Sequence, residues 1–304
     1  MKCRFVLPAA VLALAVMPLH AQQPQRERPL PPGIKALRNL EYVPGGGVRQ
    51  SLDLFLPENA SAPLPLIVWV HGGAWRAGSK EHNPALPLLR DGYAVASINY
   101  RFTDTAIFPA QIQDCKAAIR FLRARAKEHD IDPDRIGVWG ASAGGHLVAL
   151  LGTTADVKEL EAGTAENTAS TRVQAVCNWF GPSNFLTVAQ QGGDRRTSLP
   201  VVRRSDSPES QLIGGLVTEK PDKARAASPV TYASKDDAPF LTMHGDRDTV
   251  VPVEQSKELH ETLVKAGVDS TLHIVEGGGH GQGFDKPEIK AMIREFFAKH
   301  LRKR

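Results

Sequence analysis

One ten-residue stretch constrains the fold of this chain more than any other. It runs Ile-Gly-Val-Trp-Gly-Ala-Ser-Ala-Gly-Gly over residues 136–145. Its first half suits a buried strand, and the small and apolar residues 143–151 suit a helix. Between them Gly140–Gly144 matches Gly-x-Ser-x-Gly, a turn so tight that only small neighbours avoid a clash. Such a turn holds the Ser142 hydroxyl clear of the sheet at the start of a helix, which predicts a nucleophilic serine.

Apolar runs and amphipathic segments alternate along the rest of the chain. Leu66–Val70 is a continuous apolar run, typical of a strand covered on both faces. Residues 109–126 repeat apolar side chains at helical spacing. Further strands are predicted at 40–43, 48–56, 93–98, 173–180, 239–244 and 270–275, and further helices at 84–90, 252–266 and 289–301. This alternation predicts an α/β fold with a mostly parallel, doubly wound sheet and helices on both faces.

Three segments fall outside that alternation. Residues 1–21 place basic residues before an apolar run and a small-residue cleavage site, the pattern of a signal peptide. The run is too short to span a bilayer, which takes roughly 20 residues, so we expect a secreted or periplasmic protein without a stable membrane anchor. Residues 22–39, rich in Pro, Gln and Arg, predict a flexible leader. One domain is expected over 40–304, with the aperiodic residues 183–228 as a cap-like insertion over the C-terminal edge of the sheet.

Composition and motif searches exclude several classes of function. The 37 Lys and Arg residues are dispersed among 33 Asp and Glu, for a net charge of +4, which argues against a nucleic-acid partner. No His-Glu-x-x-His or comparable cluster is present, so no metal is expected. The glycine-rich residues 277–283 do not fit Gly-x-Gly-x-x-Gly, so no dinucleotide cofactor is expected. After removal of the signal peptide only Cys115 and Cys177 remain, and two buried free thiols are favoured over a disulfide.

The residues that follow the predicted strands could complete a catalytic site around the serine. In an open α/β sheet, ligands bind outside the carboxyl ends of the strands. Asp246 and Asp248 follow strand 239–244, and His280 follows strand 270–275. A serine hydroxyl needs a histidine to accept its proton, and the imidazole needs a carboxylate to orient it. The chain order serine, acid, histidine is the order that this class of fold uses.

Elimination leaves one candidate histidine for the base but two candidate aspartates for the acid. His280 alone follows both candidate acids and lies in a glycine-rich loop, whereas His146 falls inside the helix after Ser142 and is expected to be packed. Asp246 directly follows a glycine and could bond local backbone N–H groups. Asp248 lies further along, where a loop can turn back toward His280. The residues favour Asp248 and leave both acids open.

Four motifs together resemble one known family. They are His-Gly-Gly-Ala-Trp at 71–75, Gly-Ala-Ser-Ala-Gly-Gly at 140–145, His-Gly-Asp-Arg-Asp at 244–248 and Gly-His-Gly at 279–281. From about residue 40 onward the chain resembles an α/β-hydrolase of the bacterial carboxylesterase and feruloyl-esterase-like (BD-FAE-like) group, related to the hormone-sensitive-lipase-like esterases.

The resemblance implies roles for particular residues. It makes Asp248 the acid of a triad with Ser142 and His280. It assigns the oxyanion hole to the backbone N–H groups of three residues, Gly73, Ala74 and Ala143. Two positions depart from the family pattern: Ala74 stands where many relatives have glycine, and Ala141 where many have an acid. Because Ala74 keeps its backbone donor, the hole survives and only substrate preference is left open.

The expected function is an exported serine esterase without a cofactor. Its substrates would be short-chain or small soluble carboxylic esters, including acetyl or feruloyl esters of plant-wall sugars. Two alternatives stay open: a serine exopeptidase or amidase of prolyl-oligopeptidase-like type, and a binding protein that keeps the hydrolase fold without catalysis. The sequence does not determine the oligomeric state.

Overall fold

The structure is a computed structural model that describes residue 30 and residues 32–58, 63–161, 169–191 and 205–302. Gly33–Arg304 forms one compact unit, which is the unit described below. The segment predicted to be a signal peptide, residues 1–21, lies outside the described residues.

Eight strands form a single sheet in the order β1-β2-β4-β3-β5-β6-β7-β8. The strands are β1 Ile34–Glu41, β2 Ser51–Pro57, β3 Leu64–Val70, β4 Ala94–Ile98, β5 Ile131–Ala141, β6 Ala175–Trp179, β7 Phe240–Gly245 and β8 Ser270–Val275. β1 and β2 are antiparallel to their neighbours, and β3 to β8 run parallel. The predicted mostly parallel α/β fold is therefore confirmed.

Seven α-helices connect and cover these strands in the described residues. They are α1 Ala110–Ala124, α2 Ala143–Thr153, α3 Val188–Gln191, α4 Pro208–Ile213, α5 Pro221–Ala226, α6 Val253–Ala266 and α7 Pro287–Leu301. Consecutive residues of a strand point to opposite faces. In β5 a side chain added at Gly137 would meet Phe297 and Leu301 of α7, whereas Val138 packs into the cluster formed with α1 and α2. Helices thus cover both faces of the sheet.

The centre of the sheet is buried because its strands are apolar on both faces. Six consecutive residues of β3, from Pro65 to Val70, are buried, as are all five of β4. The parallel strands all end at one edge, and the segments after β3, β5, β7 and β8 meet there. That edge carries the candidate site.

Local structure differs from the sequence expectation at three places. β1 begins at Ile34, inside the segment expected to be a flexible leader, and its register against β2 shifts between Leu37 and Leu40. Residues 86–91 form a 3-10 helix where an α-helix was expected. The segment 183–228 is not wholly irregular, since its described part contains the short helices α3, α4 and α5.

The two cysteines in the described part of the chain are buried free thiols. Cys115 lies in α1 and Cys177 in β6, and neither forms a disulfide. Burial raises the pKa of both thiols well above their usual value. They pack as small apolar residues, as expected.

Candidate active site

Ser142 occupies a sharp turn between β5 and α2. Its backbone has φ 56° and ψ −120°, a conformation that L-residues rarely adopt. The turn closes because glycines flank it: a side chain at Gly140 would overlap the backbone of Gly144. The Ser142 N–H donates to the Trp179 carbonyl oxygen at 2.9 Å. The strained backbone is therefore held on both sides, and the hydroxyl stands at the sheet edge.

A continuous chain of hydrogen bonds leads away from the Ser142 hydroxyl. His280 Nε2 lies 2.9 Å from Ser142 Oγ, and His280 Nδ1 lies 2.7 Å from Asp248 Oδ2. Because a carboxylate can only accept, Nδ1 carries the imidazole proton and donates it to Asp248. Nε2 is then free to accept a proton from the serine hydroxyl. This is the protonation state that general-base catalysis requires.

Asp248 is held as a charged carboxylate. Its side chain is fully buried, and Oδ1 accepts from the N–H groups of Val250 and Val251 at 2.7 and 3.0 Å. Burial raises the pKa of Asp248, but hydrogen bonds from His244 and His280 outweigh that effect and hold the pKa well below its usual range. Asp246, the other acid considered, is exposed. The structure thus brings Asp248, rather than Asp246, to the histidine.

The loop after β3 approaches the serine turn and presents free donors. Gly73, Ala74 and Trp75 all have positive φ, at 115°, 54° and 56°. A side chain at Gly72 would press on the backbone at Ala141, so the loop lies directly against the turn. Among the described residues, none accepts a hydrogen bond from the N–H of Gly73, Ala74 or Ala143. Such unpaired N–H groups can stabilise negative charge on an oxygen beside the serine.

His146, in α2, packs against the loop after β3. Trp75 Nε1–H donates to His146 Nδ1 at 3.2 Å, so His146 Nε2 carries the ring proton and donates to the Ala227 carbonyl at 2.7 Å. Phe185 of the insertion stacks on the same imidazole. Burial lowers the pKa of His146 to about 4. His146 is packed, as the sequence indicated, and it ties the loop after β3 to α2 and the insertion.

A second buried histidine shapes the same loop. His71 stacks on Tyr100, with ring centroids 4.5 Å apart, and the Tyr100 hydroxyl donates to the His71 carbonyl at 3.0 Å. His71 Nδ1 donates to the Gly72 carbonyl at 2.7 Å. Burial lowers the pKa of His71 to about 4. The imidazole therefore stays neutral at neutral pH and acts as a structural donor.

Phe180 packs directly on the candidate base and was missed by sequence reasoning. Its ring centroid lies 4.6 Å from that of His280, and Phe284 packs on Phe180 at 4.8 Å. Phe180 has a positive φ of 40°, which is rare for an aromatic residue. No motif marks this residue, since Gly181 and Pro182 predicted only the end of a strand.

No group of three or more potential metal ligands occurs among the residues that the structure describes. Within that same part of the chain, no helix is long and apolar enough to cross a membrane. A cavity of about 270 Å³ lies between α7 and the sheet, lined in part by Trp139, Trp179 and Phe284. It borders Gly281 but none of Ser142, His280 and Asp248.

The family model BD-FAE matches residues 52–263, which is more than half of the chain. The chain belongs to the BD-FAE family. The matched residues include the serine turn, the loop after β3 and Asp248. His280 lies beyond the end of the match. The α/β-hydrolase fold that the resemblance implied is confirmed by the solved structures described next.

Several proteins that this chain resembles in sequence or structure are named esterases. The chain is 33% identical over 277 residues to Esterase LipC of Mycobacterium tuberculosis, covering 88% of this chain and 66% of LipC. A truncated carbohydrate esterase from gut microbiota superposes with a TM-score of 0.79 at 35% identity, covering 87% of this chain and 95% of that one. An acetyl ester-xyloside bifunctional hydrolase from Caldicellulosiruptor lactoaceticus superposes at 0.68 with 28% identity, covering 82% and 87%. The chain thus spans about two thirds of the length of LipC.

Proposed function

We propose that this protein is a serine carboxylesterase in which Ser142 is the nucleophile, His280 the general base and Asp248 the orienting acid. The observation that supports this most strongly is the unbroken relay from Ser142 Oγ through both nitrogens of His280 to Asp248. The free N–H groups of Gly73, Ala74 and Ala143 supply an oxyanion hole beside it. The esterase relatives support the same reaction class.

The proposed reaction follows from this geometry. Ser142 Oγ attacks the ester carbonyl while His280 Nε2 takes the hydroxyl proton, and the oxyanion is stabilised by the free N–H groups. The tetrahedral intermediate collapses as His280 returns the proton to the leaving alcohol, which leaves an acyl group on Ser142. Water then attacks the acyl-enzyme with His280 again as base, and the acid is released.

The proposed substrates are short acyl esters of sugars or other polar alcohols. Two neighbours carry names that specify a carbohydrate esterase and an acetyl ester-xyloside hydrolase. The sequence of residues 183–228 favours the same substrates, because it carries twelve charged side chains and no sustained apolar stripe. Residues 192–204, which include five of these charges, lie outside the described residues. Export through the signal peptide at residues 1–21 is part of the proposal and would bring the enzyme to extracellular esters.

A substrate panel tests this proposal. Rates of p-nitrophenyl acetate, butyrate, octanoate and palmitate hydrolysis are compared with acetate release from acetylated xylo-oligosaccharides and with cleavage of aminoacyl anilides. We expect kcat/KM to be highest for two- to four-carbon acyl chains, because each methylene that does not fit costs about 1–3 kcal/mol. Preference for long chains with activation at an oil–water interface would contradict it, and faster anilide cleavage would favour a peptidase.

A further inference from the structure

A second histidine, besides the base, contacts the acid of the triad. His244, the penultimate residue of β7, is fully buried, and its Nε2 lies 3.2 Å from Asp248 Oδ2. The same oxygen accepts from His280 Nδ1 at 2.7 Å. Two imidazoles are therefore in contact with the same carboxylate oxygen.

The surroundings of His244 determine which of its nitrogens carries the proton. Nε2 faces two acceptors, Asp248 Oδ2 and the Val251 carbonyl oxygen at 3.0 Å. Nδ1 lies 2.6 Å from the hydroxyl of Ser256 in α6, which can donate as well as accept. The arrangement that satisfies every atom places the proton on Nε2 and has the Ser256 hydroxyl donate to Nδ1. His244 is then neutral, and its one N–H is shared between the Val251 carbonyl oxygen and Asp248 Oδ2.

We propose that His244, oriented by Ser256, is a positioning residue that tunes the basicity of His280 through Asp248. This inference rests on the proposed function. A donor on Oδ2 offsets part of the carboxylate charge that stabilises protonated His280. Removing that donor leaves more of the charge facing His280, so His280 gains its proton at a higher pH. The acid limb of the pH–rate profile then moves upward.

Few other groups can account for such an effect. Phe180 from the end of β6 packs against His280 and His244, at 4.6 and 6.3 Å between ring centroids, and carries no charge. Asp246 and Arg247, on the same loop as Asp248, are exposed. Among the described residues, no ionisable side chain other than the two histidines hydrogen-bonds or ion-pairs with Asp248.

The test compares four variants with the wild type. His244→Leu removes the donor, whereas His244→Gln places an amide N–H near the position of Nε2. Ser256→Ala removes the hydroxyl that keeps the His244 proton on Nε2. The matched control is His260→Leu, since His260 also pairs with a serine, Ser270 at 3.0 Å, but lies on α6 away from the site. The readouts are the midpoint of the acid limb of kcat/KM and the protonation midpoint of His280 measured by NMR without substrate.

We expect His244→Leu to raise both midpoints by roughly half a pH unit or more. Ser256→Ala should raise them by less, while His244→Gln and the control His260→Leu should stay close to wild type. Unchanged midpoints in His244→Leu, or equal shifts in the Leu and Gln variants, would overturn the inference. If His244→Leu does not fold, as judged by circular dichroism, the Ser256→Ala and Gln variants decide. Absence of ester hydrolysis by the wild type would refute the proposed function instead, and the NMR midpoints would still judge His244.

Discussion

A single carboxylate determines the protonation state of the candidate triad. Asp248 stays charged in a buried position because four donors, two backbone N–H groups and two imidazoles, surround it. Its charge fixes the His280 proton on Nδ1 and leaves Nε2 free for the serine. Asp246 lies exposed two residues earlier, and within the described part of the chain its carboxylate accepts no hydrogen bond.

Asp248→Asn should therefore lower kcat far more than Asp246→Asn. An amide keeps the shape but can donate to His280 Nδ1, which places the imidazole proton on Nε2, facing Ser142. In the serine-protease example of this substitution the loss is about 10⁴ in kcat. Steady-state kinetics at one pH measure both variants, and Asp246→Asn is the control. An equal or larger loss in Asp246→Asn would show that the acid is assigned to the wrong residue.

The sequence predicted single residues where motif and chain order agree. Ser142 and His280 were predictable because each comes directly after a predicted strand. The choice of acid depended on the family resemblance, because no local sequence pattern predicts the path of residues 245–252. The contacts of His244 with Asp248 and Ser256 were not predictable. They bring together β7, the loop after it and α6, and only the folded chain reveals that packing.

At the scale of secondary-structure elements, the serine turn depends on how closely α2 approaches β3. A side chain at Gly144, the second residue of α2, would overlap the Val70 carbonyl oxygen and the backbone of His71. The same contact holds the loop with Gly73 and Ala74 beside Ser142. Helix, strand and loop are therefore closely packed around the serine.

Gly144→Ala should lower both the free energy of unfolding and kcat, because α2 must move away from β3. Such overpacking costs about 1–3 kcal/mol. The control is Gly92→Asn, since Gly92 has a positive φ of 81° that Asn tolerates and open space around it. Urea unfolding and kcat report the two effects. A loss of stability in Gly144→Ala no greater than in Gly92→Asn would contradict the close approach.

The sequence located most elements but placed the first strand too late. Residues 34–39 were expected to belong to the leader and 40–43 to form a strand, whereas β1 begins at Ile34. Asn39, with a positive φ of 55°, and the register shift between Leu37 and Leu40 make this strand irregular. Pairing with β2 stabilises the strand despite that irregularity, so its cause lies in tertiary contacts. The central strands were predictable since burial on both faces makes them apolar throughout.

At the scale of the whole molecule, two buried histidines couple stability to pH. The pKa values of His71 and His146 are lowered to about 4 by burial, while an unfolded histidine titrates near ~6.5. Between these values the unfolded state binds more protons, so stability is present at neutral pH and lost as pH falls from about 6.5 to about 4. Each histidine contributes up to ~3 kcal/mol to that loss.

His146→Gln should flatten this dependence. Glutamine can replace the bonds to Trp75 and Ala227 without titrating, so the difference in unfolding free energy between pH 7 and pH 4.5 should shrink. Urea unfolding at a series of pH values, compared with the wild type, measures it. Parallel curves for the two proteins would mean that protonation of His146 is not linked to unfolding.

The site of acylation tests the role of Ser142 as nucleophile directly. The protein is mixed with p-nitrophenyl acetate, quenched in acid within the first turnovers, digested and mapped by mass spectrometry, with Ser142→Ala treated identically. We expect one acetyl group on the peptide that contains Ser142, none on the variant at that position, and a fall in kcat of several orders of magnitude in the variant. Acylation at another residue, or a variant with kcat within tenfold of wild type, would contradict that role.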